Sequence, residues 1–86
     1  MKFRISRHAK QELKRRKIPM EFLESVLKHP QQVIIEPSGK KIYQSQIDFS
    51  GGNIFLLRAI VAEDVDPPMI VTVYRTRKIS KYWRQS

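Results

Sequence analysis

Ile54-Phe55-Leu56-Leu57-Arg58-Ala59-Ile60-Val61-Ala62-Glu63 is the most apolar run of the chain, and its reading decides the fold. Side chains alternate across a strand, so Phe55, Leu57, Ala59 and Val61 share one face. Ile54, Leu56, Arg58 and Ile60 share the other. The run reads as the central strand of a sheet. Upstream, Ser50-Gly51-Gly52-Asn53 is a hairpin signal. It follows Lys41 to Phe49, where Tyr43, Ile47 and Phe49 alternate with Gln44, Gln46 and Asp48. A shorter β-rich run, Gln32 to Glu36, precedes the turn Pro37-Ser38-Gly39. Downstream, the acidic loop Glu63 to Pro68 leads into Met69 to Thr76, with Val71 and Val73 opposite Thr72 and Tyr74.

Before Pro30 the period is helical. Phe3 and Ile5 suggest a short first strand. Ser6 is placed to cap a helix in which Ala9 and Leu13 face inward. His8, Glu12 and Arg16 form a neighbouring stripe. Lys17-Ile18-Pro19 breaks this helix, and Pro19 suits the start of the next. Met20, Leu23, Val26 and Leu27 then mark a second buried helical face, closed by His29-Pro30. The order β-α-α-β-β-β-β predicts an α+β fold. Two N-terminal helices should pack on one face of an antiparallel sheet of about four strands. A short basic C-terminal tail follows, itself a candidate helix. Residues 1–86 are expected to form a single domain.

The charge narrows the partner. Seventeen Lys and Arg against eight Asp and Glu give a net charge of +9 on 86 residues. The positive groups cluster at Arg4 to Lys17 and Arg75 to Arg84. Such a balance points to a polyanion, and nucleic acid is the simplest one. The chain has no cysteine, hence no disulfide and no thiolate. No apolar stretch reaches the roughly 18 residues of a membrane span. The N-terminus lacks the apolar run of a signal peptide. A cytoplasmic protein with no membrane partner is expected. A helix-turn-helix reading of the first two helices fits poorly, because the second would present Glu21 and Glu24 to DNA.

Several residues can carry chemistry. Arg58 interrupts the central strand, and a buried guanidinium must be paired or open onto a wet cleft. There it can hold a phosphate bidentately and stabilise charge developing on it. His8 is the imidazole placed to act as acid or base, and Glu12 either orients it or pairs with Arg16. Tyr74 can stack on a base or position a proton, and Arg75 can contact phosphate. Arg15, Arg16, Thr72, Lys78, Lys81 and Arg84 are candidates for nucleic-acid contact. Trp83 is expected to anchor the tail. Glu63, Asp64 and Asp66 read as a polar turn rather than a metal site, and neither metal nor cofactor is expected.

The segments ISRHAKQELKRRKI (5–18) and VTVYRTRKISKYW (71–83) resemble a family of small RelE-like proteins. That family is a domain of unknown function placed within the barnase–EndoU–colicin–RelE nuclease-like group. Its members often carry Arg where Glu12 stands and Gly where Lys17 stands. His8, Arg16, Thr72, Tyr74, Arg75 and Lys81 match. The resemblance implies a RelE-like fold with a cleft on the open face of the sheet. It also implies a metal-independent endoribonuclease, the toxin of a toxin–antitoxin pair, cutting RNA through the adjacent 2′-hydroxyl. His8 or Tyr74 would move protons while Arg58 and Arg75 stabilise the phosphorane. The partners would be RNA, including ribosome-bound mRNA, and a small antitoxin. The alternatives are a non-catalytic nucleic-acid-binding module and a protein-interaction domain of the same fold. The oligomeric state is not legible in the sequence.

Overall fold

The computed structural model describes residues 2–85. The elements run β1 (Arg4–Ile5), α1 (Arg7–Arg15), α2 (Met20–Lys28), β2 (Gln32–Ile35), β3 (Lys41–Asp48), β4 (Ile54–Ala62), β5 (Met69–Thr76) and α3 (Ile79–Tyr82). The strands form one sheet in the order β1-β5-β4-β3-β2. Pairs β2–β3, β3–β4 and β4–β5 are antiparallel, whereas β1 runs parallel to β5.

The class is α+β, but the expected RelE-like antiparallel sheet of about four strands is corrected to a mixed sheet of five. Three short helices accompany it. Tight turns dictate antiparallel pairing only for strands adjacent in sequence. β1 meets β5 from the far end of the chain, so no turn sets its direction. The pairing is held by Arg4 N–H donating to Pro68 C=O at 2.8 Å and Ser6 N–H to Ile70 C=O at 3.1 Å. Ser6 then serves two elements. Its Oγ accepts from Ala9 N–H, capping α1, and donates to Val71 C=O at 2.8 Å, tying that cap to β5.

The hairpin between β3 and β4 closes through Gly51 and Gly52, with φ of 56° and 88°. Those left-handed angles are what a residue without Cβ adopts freely. The end of α1 solves the same problem differently. Ile18 N–H reaches Leu13 C=O at 2.8 Å and Lys17 N–H reaches Lys14 C=O at 3.2 Å. This pair of hydrogen bonds places Lys17 in the left-handed position where glycine is the usual occupant, and its φ is 52°. Ile18 and Leu13, both buried, supply the accompanying apolar contact.

The main core lies between the sheet and α1 and α2. Ala9, Leu13, Leu23, Val26 and Leu27 meet Leu57, Ala59, Val61, Ile70 and Val73. Strict alternation on β5 would bury Val71 with Val73. A bulge opposite Ile60 and Val61 instead sets Val61 against Ile70 and Ile60 against Thr72. The extra residue shifts the phase, so Ile70 takes the core position and Val71 is half-buried. Beyond Ile70, β5 has no further strand neighbour on its outer side, and α1 flanks it there. Helix α3 lies over Arg58, on the opposite face from the main core, so the face expected to be open is partly covered. No helix among the described residues is long and apolar enough to cross a membrane.

Candidate functional site

Arg58 stands mid-strand on β4, directly opposite Gln44 on β3 and Tyr74 on β5. Directly opposed residues share a face, so the guanidinium finds a partner on each side. Nε donates to Gln44 Oε1 at 2.8 Å and Nη1 donates to the Tyr74 hydroxyl at 2.6 Å. Its carbon lies 4.2 Å from the centroid of the Tyr82 ring on α3. Only 7% of Arg58 is exposed. No carboxylate among the described residues pairs with it. Nη2 has no hydrogen-bond partner among the described residues, yet no buried side-chain polar atom among them lacks one. Nη2 therefore meets solvent. Two neutral partners leave the charge uncancelled and direct its free donors outward.

Gln44 is fully buried and organises the covering segment. Its Nε2 donates to Gln32 Oε1 at 2.7 Å and to Tyr82 C=O at 3.2 Å. Gln32 in turn donates from Nε2 to Arg84 C=O at 2.7 Å and accepts from Arg84 N–H at 3.1 Å. Two glutamines thus clamp the tail across the sheet. The tail presses Tyr82 over Arg58 and beside Tyr74, whose ring centroid is 6.3 Å from that of Tyr82. The Lys81 ammonium lowers the pKa of Tyr82 by its charge and its hydrogen bond. Tyr74 and the Arg58 charge act in the same direction, against desolvation.

His8 is exposed on the first turn of α1. Its Nε2 is 3.1 Å from Thr72 Oγ1, two residues from Tyr74 on the same face of β5. His8, Thr72, Tyr74 and Arg58 therefore line one side of the sheet, with Arg58 and Tyr74 in direct contact. Arg16 joins them from the end of α1, its guanidinium carbon 5.8 Å from the Tyr74 ring centroid. Arg75 does not. It pairs with Leu57 on the helix-bearing face, stacked over Phe49 and Phe55. Lys78 is exposed just before α3, Lys81 Nζ is 5.3 Å from the Tyr82 ring centroid, and Arg84 is exposed. Trp83 is half-buried. Glu63 pairs with Lys41 at 3.0 Å and accepts from the Tyr43 hydroxyl at 2.8 Å.

Glu12 pairs with neither His8 nor one arginine alone. It receives Arg15 through Nε and Nη2, each at 2.8 Å, and Arg16 through Nε at 2.9 Å. Those hydrogen bonds, Arg15 first, hold its pKa at about 2 against the ordinary 4.5, despite desolvation. A carboxyl more acidic in the folded state stabilises the fold above its unfolded pKa. That contribution should fade as pH falls from about 4.5 towards 2. Thermal melts across this range should show a shallower acid limb for Glu12→Gln than for the parent. Parallel limbs would assign the acid sensitivity to other groups.

Residues 5–75 match the family described as a domain of unknown function, DUF4258. The chain belongs to DUF4258. No curated protein and no solved structure matches it. The matched DUF4258 span holds His8, Gln44, Arg58, Thr72 and Tyr74 but ends before α3. Tyr82 and the tail that the glutamines clamp thus lie outside the DUF4258 span, whereas Gln32 and Gln44 lie within it. Gln44, Gln32 and Tyr82 escape a reading of the sequence by residue type. The signal for Gln44 is positional: it is the polar residue set against Arg58 once the β3–β4 register is known.

Proposed function

We propose that this chain is a metal-independent endoribonuclease of the type found in the barnase–EndoU–colicin–RelE group. The observation that carries the reading is the Arg58 guanidinium: fixed on two sides, paired with no carboxylate among the described residues, and open to solvent through Nη2. A fixed cation suits a phosphate whose charge grows in the transition state, because no reorganisation is then needed. In this scheme the 2′-oxygen forms a bond to phosphorus and the 5′-oxygen leaves, giving a 2′,3′-cyclic phosphate. His8 takes the 2′-hydroxyl proton, and Tyr74 gives its own proton to the departing 5′-oxygen. His8 rests against Thr72, and Thr72 and Tyr74 are about 7 Å apart on one face of the strand, a spacing that suits one phosphate between the base and the acid. Arg58 stabilises the phosphorane between them.

The charge of +9 suits an RNA substrate, ribosome-bound mRNA included, and equally a small acidic antitoxin that would cover the same face. A toxin held by such an antitoxin in the cytoplasm is the setting we assign. Cleavage of RNA in EDTA, with products ending in 2′,3′-cyclic phosphate, tests the reaction. A 2′-deoxy substitution at the scissile nucleotide should abolish it. His8→Ala should lower the rate by about 10²-fold. The burial of Arg58 beneath Tyr82 favours a second reading, a binding module that does not cut. RNA binding with steep salt dependence and no cleavage, free or on ribosomes, would select it.

A further inference from the structure

A second cationic site lies on the other face of the sheet. Its cavity of about 340 Å³ is lined by Lys17, Phe49, Asn53, Phe55, Arg75 and Arg77, among others. A neighbouring cavity shares Lys17, Phe55 and Arg75 and adds Arg15 and Arg16. No acidic residue lines either. Arg15 and Arg16 are paired with Glu12, but Lys17, Arg75 and Arg77 have no carboxylate partner among the described residues.

The guanidinium groups of Arg75 and Arg77 lie over aromatic rings. Arg75 lies 4.5 Å from the Phe49 ring centroid and 4.6 Å from that of Phe55, and Arg77 lies 4.7 Å from Phe55. The rings are locked in turn, Phe22 on Phe49 at 5.0 Å and Phe49 on Phe55 at 5.1 Å, both edge to face. Stacking occupies the guanidinium planes and leaves their N–H edges for an oxyanion.

Lys17 supplies an independent argument. Its backbone has φ of 52° at the terminus of α1, a conformation that costs an L-residue energy and glycine almost none. The side chain is exposed, so packing does not require it there. Lys17 lines both cavities. A strained residue kept at a cationic cleft signals a use for its charge.

We infer that the Lys17–Arg75–Arg77 cleft binds a backbone phosphate of a single-stranded nucleic acid, one that continues from the Arg58 face past Arg16 at the C-terminal end of α1. Arg16 bridges the two faces, near the Tyr74 ring on one side and lining the second cavity on the other. Tyr74 and Arg75 are consecutive and point to opposite faces, so a strand passing Arg16 meets both. The inference rests on the nucleic-acid half of the proposed function and is independent of cleavage.

A fully 2′-O-methylated oligoribonucleotide, which cannot be cut through its 2′-oxygen, is the probe. Binding is measured by fluorescence anisotropy over a range of salt. Arg75→Ala/Arg77→Ala should weaken binding at least tenfold near 0.1 M salt. It should also lower the slope of log K against log salt by about 0.7 for each phosphate no longer neutralised. Lys17→Gly should raise Tm by about 4 °C while weakening binding several-fold. A variant that gains stability cannot lose affinity by unfolding. Affinities of both variants within twofold of the parent would overturn the inference. So would poly-glutamate or phosphatidylglycerol vesicles binding as tightly as the oligonucleotide and weakening as much on the same substitutions. Loss of oligonucleotide binding in a protein that cuts no RNA would leave this site standing and remove the nuclease.

Discussion

Arg58→Ala is expected to lower single-turnover RNA cleavage by at least about 10²–10³-fold, the usual loss when one fixed donor to a developing oxyanion is removed. Arg58→Lys should rescue little. An ammonium is a point charge, whereas the guanidinium reaches Gln44 and Tyr74 in opposite directions and still presents Nη2 outward. Tyr74→Phe separates two roles. It removes one partner of Arg58 and the proposed proton donor together, so it should depress the rate with a 5′-hydroxyl leaving group far more than with an activated phenolate leaving group. An equal loss with both leaving groups would reduce Tyr74 to a support for Arg58. Cleavage by Arg58→Ala within tenfold of the parent would end the catalytic assignment of this guanidinium.

Gln44→Leu should be the most destabilising polar substitution in the sheet. Gln44 is fully buried and makes three side-chain hydrogen bonds, to Arg58, Gln32 and the Tyr82 carbonyl. Leucine is close in volume, so little cavity forms, but Arg58 Nε loses its acceptor inside the protein. An uncompensated buried charged donor costs about 2–4 kcal/mol. Against a total stability of about 4–13 kcal/mol for a chain of this size, that is a large share. The same change frees the tail, so amide exchange at Trp83 and Arg84 should accelerate more than exchange in β4. Gln44→Glu provides the contrast: it keeps an acceptor for Arg58 but faces the Gln32 and Tyr82 oxygens with no donor. Urea denaturation showing Gln44→Leu within 1 kcal/mol of the parent would sink this account.

The local parts of the fold were legible because local chemistry specifies them. Gly51-Gly52 demands positive φ, Ser6 caps a helix, and alternation in β4 correctly puts Leu57, Ala59 and Val61 on the core face. What failed was set by distant partners. β1 takes its direction from β5, and nothing near Arg4 encodes a parallel neighbour. The β5 bulge moves Ile70 into the core against the simple alternation, because a bulge is a property of the pair and not of one strand. The site divides the same way. Arg58 stood out as a charge in an apolar run, and the pairing of β4 with β5 puts Tyr74 beside it. Gln44 became informative only through register, and Tyr82 only through the glutamine clamp. Arg75, one residue from Tyr74, belongs to the other face for the most elementary reason, the pleat itself.

The parallel pairing of β1 with β5 also bears on how the protein is born. A chain leaves the ribosome from its N-terminus, and α1 packs mainly against β5, the last strand to emerge. Ser6, which starts that helix, bonds to Val71, and Gln32 waits for Arg84. Contacts of such long sequence separation form late. During translation the β2–β3–β4 meander can assemble early, but α1 has no strand to lie on, and Arg58 has neither Tyr74 nor Tyr82. Whatever this basic face does, a nascent chain cannot do it to the ribosome that is making it until residues 74–84 have cleared the exit tunnel.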